Sequence, residues 1–136
     1  MIGTKYTFKP CGDNHGKLIA LEEFRNIPFQ IKRVYYIYNT EVGFIRGKHA
    51  HKKLEQVLVC VNGSCKIKLD NGEETRIITL ETPCEGLYVG KNVWREMFDF
   101  SRDAVLLVLA SELYDPNDYI RDYNEFIEYI TGDKNW

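Results

Sequence analysis

Two Asn-Gly pairs, Asn62-Gly63 and Asn71-Gly72, constrain the fold of this 136-residue chain more than any other feature. Asn-Gly between apolar runs is the strongest short signal for a type I′ turn, which joins antiparallel strands. The first pair predicts a hairpin of Glu55–Val61 with Ser64–Leu69, and sets Cys60 opposite Cys65. The second predicts that Cys65–Leu69 pairs with Thr75–Leu80. Cys65, Ile67 and Leu69 share one face and Lys66 and Lys68 the other, so this hairpin is expected to be wet on one side.

The same grammar runs through most of the chain. Residues 5–9 alternate polar and apolar, as a half-exposed strand does. Cys11 to Gly16 reads as a loop, and Lys17–Leu21 as a second strand. Ile31–Tyr38 is rich in β-branched and aromatic residues and reads as a strong strand. Arg33, Tyr35 and Ile37 fall on one face of it, and Lys32, Val34, Tyr36 and Tyr38 on the other. Leu87–Val89 and Val93–Phe98 follow as short strands, and the wholly apolar Ala104–Ala110 as a buried one. Nine or ten short strands with regular turns predict an all-β sandwich or barrel. The tail changes period. Asp115-Pro116 offers a helix start, and Ile120, Tyr123, Ile127 and Ile130 recur along one helical face. Gly132 is the expected stop.

Length and charge bound the function. One domain, residues 1–136, is expected. A domain of that size buries roughly 68–70% of its unfolded surface, so it needs neither disulfide nor metal to hold a core. The net charge of −2 argues against nucleic-acid or anionic-membrane binding. No apolar run approaches a membrane-spanning length. The first residues lack the apolar core of a secretion leader. A cytoplasmic location follows as the expectation, with the four cysteines as thiols.

The chemistry concentrates in Gly43 to Glu55, which holds two of the three histidines, His49 and His51. A spacing of two puts both imidazoles on one face of a strand. Three readings stand open for them. They could bind metal with Glu55 as a third ligand. They could transfer protons without metal. They could be structural, hydrogen-bonded in a barrel wall. Arg33, Arg46, Lys48, Lys52 and Lys53 cluster nearby in an acidic protein, and an arginine fork suits phosphate. Lys52 and Lys53 read as solubilising residues. Arg33, inside a strong strand beside Tyr35, needs partners if buried.

The spacing Gly43-x5-His49-x-His51-x3-Glu55-x7-Gly63 resembles the first motif of the cupin superfamily, with the last glycine one residue late. The second cupin motif should bring a further histidine, but Gly86 to Glu96 has none. Four collinear strings are more specific: Ile27-Pro28-Phe29 with Ile31–Ile37, Arg46 to Leu54, Val93 to Phe100, and Val108–Ser111 with Tyr114-Asp115 and Asp118–Arg121. From Phe8 to Tyr129 the chain resembles the WxcM-like nucleotide-sugar 3,4-ketoisomerases.

The resemblance implies a cupin-type antiparallel β-barrel (jelly roll) with a C-terminal helix. It implies an isomerase that needs no metal and no other cofactor. The substrate would be a dTDP-sugar, dTDP-4-keto-6-deoxy-D-glucose, whose ketone moves from C4 to C3. The partner would be a second copy, a homodimer with exchanged N-terminal strands. His49 resembles the family's main acid/base, with Tyr35 beside it and His51 as a second proton carrier or orienting group. Arg33 and Arg46 resemble pyrophosphate- or sugar-holding residues. Arg95 and His15 sit where family members differ with product configuration. Arg95 points to the gluco product. A related 3,5-epimerase and a non-catalytic sugar-binding module are the competing readings.

Overall fold

The computed structural model describes residues 1–132; the last four positions of the expected 1–136 domain lie outside the described residues. The strands, in chain order, are β1 Thr4–Thr7, β2 Cys11–Asp13, β3 Gly16–Leu18, β4 Arg33–Ile37, β5 Arg46–His51 and β6 Gln56–Asn62. They continue with β7 Cys65–Asp70, β8 Thr75–Leu80, β9 Glu85–Val89, β10 Trp94–Phe98, β11 Val105–Ala110 and β12 Tyr119–Ile120. The helix α1, Tyr123–Gly132, closes the described chain. Two five-stranded antiparallel sheets form, ordered β1-β9-β6-β11-β4 and β12-β5-β10-β7-β8. This is the expected antiparallel jelly roll, opened out: no ladder joins the two sheets among the described residues. None of the described helices is long and apolar enough to cross a membrane.

Alternation along β6 shows how the layers are built. Leu58 and Cys60 point between the sheets, where they meet Ile67, Leu69, Leu80, Leu87, Leu106 and Val108. Val57 and Val59 point the other way, under Phe8, Ile27 and Phe29 of the N-terminal segment. The outer face of the second sheet takes α1, whose Phe126 is fully buried against Ala50, Trp94 and Ile120. Both faces of the middle of the first sheet are thereby largely covered, which is why Val57–Cys60 of β6 and Val105–Ala110 of β11 are apolar without alternation.

The structure corrects three expectations. Asn62-Gly63 does not make a hairpin. β6 is already paired with β9 and β11, so β7 has no free edge there and joins the other sheet. Gly63 turns the corner at φ +69, where a Cβ would collide with Ser101, Asp103 and Ala104. The Ser64 N–H donates to Ser101 Oγ at 2.9 Å, and Ser101 N–H returns a bond to the Ser64 carbonyl at 2.8 Å. The Cys60 thiol donates to the Asn62 carbonyl at 3.2 Å, and Cys60 and Cys65 are both buried free thiols on either side of a sheet-to-sheet corner. The second hairpin forms with Cys65 opposite Leu80 and Asp70 opposite Thr75.

Cys11 to Gly16 is not a loop but a hairpin, β2 with β3, whose strands pair only with each other. Nor does the tail helix begin at Asp115. Asp115 caps a short 3-10 turn at Pro116–Asp118 instead, accepting from the Asn117 N–H at 3.0 Å. Ile120 is extended because it pairs with Ala50 of β5. Asp122 caps α1, accepting from the Glu125 N–H at 3.0 Å.

Candidate active site

A β-bulge sets the site. Arg95 pairs with His49 and Glu96 with Gly47, which leaves Lys48 as an extra residue with φ +53. Bulges bend a strand and re-aim its side chains. Gly47, at φ +85, lies where a Cβ would press within 3.1 Å of both the Arg95 carbonyl and the Met97 methyl. Below the bulge, His49 and His51 both point inward, their ring centroids 4.8 Å apart and nearly perpendicular. β12 then lays Tyr119 against them, at 4.9 Å from His49 and 4.3 Å from His51.

A cleft of about 600 Å³ opens over this cluster, lined by Arg33, Tyr35, Arg46, His49, Tyr119 and Arg121 among others. Arg33 lies over the Tyr35 ring at 4.8 Å, and Arg121 over the Tyr119 ring at 4.1 Å. A smaller cavity of about 310 Å³ adjoins it; Arg33 and Tyr119 line both, and His51 lines this one. His51 is fully buried, and its Nδ1 meets Asp118 Oδ2 at 3.1 Å. Asp118 is itself fixed by the N–H groups of Lys53, at 2.8 Å, and Leu54, at 3.2 Å. A carboxylate held this way keeps His51 Nδ1 protonated and its ring in place.

The electrostatics favour uncharged imidazoles. Burial, with the Arg95 guanidinium beside it, pushes His49 down to about 4. Burial and Arg95 also push His51 down, to about 2. Both rings are therefore neutral near pH 7 and have a lone pair for a proton. Burial lifts the Tyr35 phenol, so it stays protonated and can donate.

Of the residues singled out from the sequence, His49, Tyr35, Arg33 and Arg46 share the large cleft, and His51 lies one layer behind. Arg95 does not reach the cleft wall. It is fully buried, with Nη1 on Gln56 Oε1 and Nη2 on the Val93 carbonyl at 2.9 Å. His15 lies on the exposed β2–β3 turn and lines neither cavity. Glu55 is not with the histidines: its carboxylate accepts from the Tyr88 hydroxyl, and among the described residues no three His, Cys, Asp or Glu side chains gather as a metal site. Tyr119, Asp118, Arg121 and Gln56 were missed. For the first three, the family string Asp118–Arg121 was the available signal.

The family model described as WxcM-like, C-terminal, matches residues 4–131. The chain belongs to that family. A relative from Aneurinibacillus thermoaerophilus, named TDP-4-oxo-6-deoxy-alpha-D-glucose-3,4-oxoisomerase, is 59% identical over 90% of this chain and 88% of its own. The structure of a sugar 3,4-ketoisomerase from Thermoanaerobacterium thermosaccharolyticum in complex with TDP superimposes with a TM-score of 0.93, at 50% identity, over 96% of each chain. A TDP-quinovose 3,4-ketoisomerase from Campylobacter jejuni matches with a TM-score of 0.89, at 52% identity, over 93% of this chain and 97% of its own.

Proposed function

We propose that this WxcM-like protein is a sugar 3,4-ketoisomerase acting on dTDP-4-keto-6-deoxy-D-glucose by proton transfer through its own side chains. One observation carries the reading: a buried neutral imidazole, His49, shares a cleft with a phenol, Tyr35, and the guanidiniums of Arg33, Arg46 and Arg121. The names of the relatives give the substrate class.

Moving a ketone from C4 to C3 requires loss of the C3 proton, an enediolate, and gain of a proton at C4. His49 takes the C3 proton. The electrons shift to the C4 oxygen, where the Tyr35 O–H meets the developing charge. The C3 hydroxyl proton then passes to the C4 oxygen, the C3 oxygen becomes the carbonyl, and the protonated imidazole returns its proton to the cluster for delivery to C4, which completes the exchange. The free-protein affinity of His49 for a proton is low, first because burial disfavours the charged ring and then because the Arg95 and Arg121 guanidiniums repel it. A bound diphosphate offsets that positive field, so substrate itself raises the basicity of the group that must react. His51, held by Asp118, orients the cluster and passes protons behind it.

The gluco product, dTDP-3-keto-6-deoxy-D-glucose, is the further proposal. Arg95 supports it through the resemblance, as does the 52% identity to the relative named for TDP-quinovose. A homodimer with exchanged N-terminal strands is proposed too. Every residue of β2 and β3 is exposed, and a lone two-stranded hairpin is marginal in water. The proposed contact of His15 with the sugar requires that dimer. The test is proton NMR of the substrate with purified protein in D2O and EDTA. The expected result is a 3-keto product with deuterium at C4 and gluco-type H4 couplings. An unchanged spectrum overturns the reading, and galacto couplings overturn the configuration alone.

A further inference from the structure

Gln56 opens the apolar run of β6, yet it points between the sheets, on the same face as Leu58 and Cys60. It is 2% exposed and stands between Arg95 and Tyr35. Chemistry fixes the direction of its bonds. A guanidinium can only donate, so the Gln56 oxygen is committed to Arg95 Nη1. The amide nitrogen must then face Tyr35, and it donates to Tyr35 Oη at 3.0 Å. An amide nitrogen accepts nothing, so the phenol oxygen is the acceptor and its own proton has to point elsewhere. Arg95 cannot turn away to release this order, because it is fully buried and tied to the Val93 carbonyl. Tyr35 lines the cleft, which is the open direction left to its O–H.

We propose that Gln56 is a positioning residue: anchored by Arg95, it aims the Tyr35 O–H proton into the cleft, at the substrate oxygen that carries the enediolate charge. The proposal rests on the ketoisomerase reading for the identity of that oxygen. It also gives Arg95 a part in the reaction from behind the cleft wall, through Gln56 rather than by touching the sugar.

Glutamate separates this role from simple filling of the core. Gln56→Glu keeps the shape and still satisfies Arg95, but it offers Tyr35 an acceptor in place of a donor. The O–H then turns inward. The expected variant melts no lower than wild type, binds TDP within about threefold, and loses about 100-fold or more in kcat, the scale of one lost donor to a developing oxyanion. Tyrosine labelled with 13C at Cζ, assigned by Tyr35→Phe, reports the orientation without turnover. The Tyr35 ionisation should move up by about one pH unit or more, since a carboxylate now opposes the phenolate. The double variant Tyr35→Phe/Gln56→Glu should be no slower than Tyr35→Phe alone. An unmoved Tyr35 ionisation overturns the proposal whatever the rate, and so does a kcat within threefold of wild type. A fully active Tyr35→Phe instead removes Tyr35 from the reaction, a failure of the functional reading seen on a different variant. If the glutamate variant does not fold, Gln56→Met removes both bonds and must still raise the Tyr35 ionisation and lower kcat.

Discussion

The space between the two sheets has two halves, built on the same strand alternation from opposite residue types. Toward β7, β8 and β9 the inward residues are Ile67, Leu69, Ile78, Leu80, Leu87 and Val89, all nearly or fully buried. Toward β4, β5 and β12 they are Arg33, Tyr35, His49, His51 and Tyr119, with Gln56 and Arg95 behind them. Desolvation acts on both halves with opposite sign. It contributes roughly 1.5–3 kcal/mol for each large apolar side chain fully buried. In the polar half it opposes charge, and three buried nitrogens there, Arg33 Nε, His51 Nε2 and Arg95 Nε, have no hydrogen-bond partner. The first half supplies stability that the second uses to hold groups in states water would not allow.

The largest expected effect separates the halves by rate. His49→Asn should lower kcat by about 10² to 10⁴-fold, the usual contribution of a positioned acid/base. Its melting point at pH 7 should barely move. Steady-state kinetics with a thermal melt checks both, and near-wild-type turnover would place the base elsewhere in the cluster. Leu87→Ala is the mirror experiment. Leu87 is fully buried in the apolar half, and its truncation should cost about 2–5 kcal/mol in a urea melt. The kcat per folded molecule should stay within about twofold. A large rate loss there would mean that the two halves are not independent.

The apolar half was legible in the sequence because period-2 patterning reports burial directly. The β7–β8 hairpin and the buried β11 follow from it. The first Asn-Gly misled because a turn signal fixes the local backbone and not the partner. Asn62-Gly63 turns the chain as expected, yet the pairing was decided by β9 and β11, which come later in sequence. The polar half was legible only where residues are neighbours on one strand, as with His49 and His51. β12 has two residues, too few to show a period, and its hold on the site comes from pairing with β5. Asp118 reaches His51 across 67 positions. Gln56 borders the apolar run that follows it, and only its parity with Leu58 places it inside.

The next effect is a pH dependence of stability that belongs to the polar half. The folded state holds His49 near 4 and His51 near 2, below the ordinary value of 6.5. As pH falls through 6.5, the unfolded chain takes up protons that the folded chain refuses, so stability falls. The loss begins at about 6.5 and continues until the folded values are reached. Between pH 6.5 and pH 5 it should amount to about 2 kcal/mol for each histidine, at about 1.4 kcal/mol per pH unit. Urea melts at pH 7.5 and pH 5 read it, and His49→Asn should retain about half of the drop. Equal stability at both pH values would show that the imidazoles are not held neutral.

The smallest effect tests the boundary between the halves, at Glu55. It lies four residues from His51 in sequence, and a carboxylate there suits a metal site or a third acid. In the fold it has the parity of Val57, which faces away from the space between the sheets. Its carboxylate accepts from the hydroxyl of Tyr88, itself packed on the outer cluster around Phe8 and Ile27. Burial and this carboxylate together push the Tyr88 phenol up, so it stays a donor. Tyr88→Phe should therefore cost about 1 kcal/mol of stability, the usual net value of one hydrogen bond, and leave kcat within twofold. A rate loss without a stability loss would bring Glu55 back into the reaction. The expected outcome separates proximity in sequence from proximity in chemistry: one step of strand parity puts Gln56 beside the phenol of the cleft and Glu55 on the opposite face of the sheet.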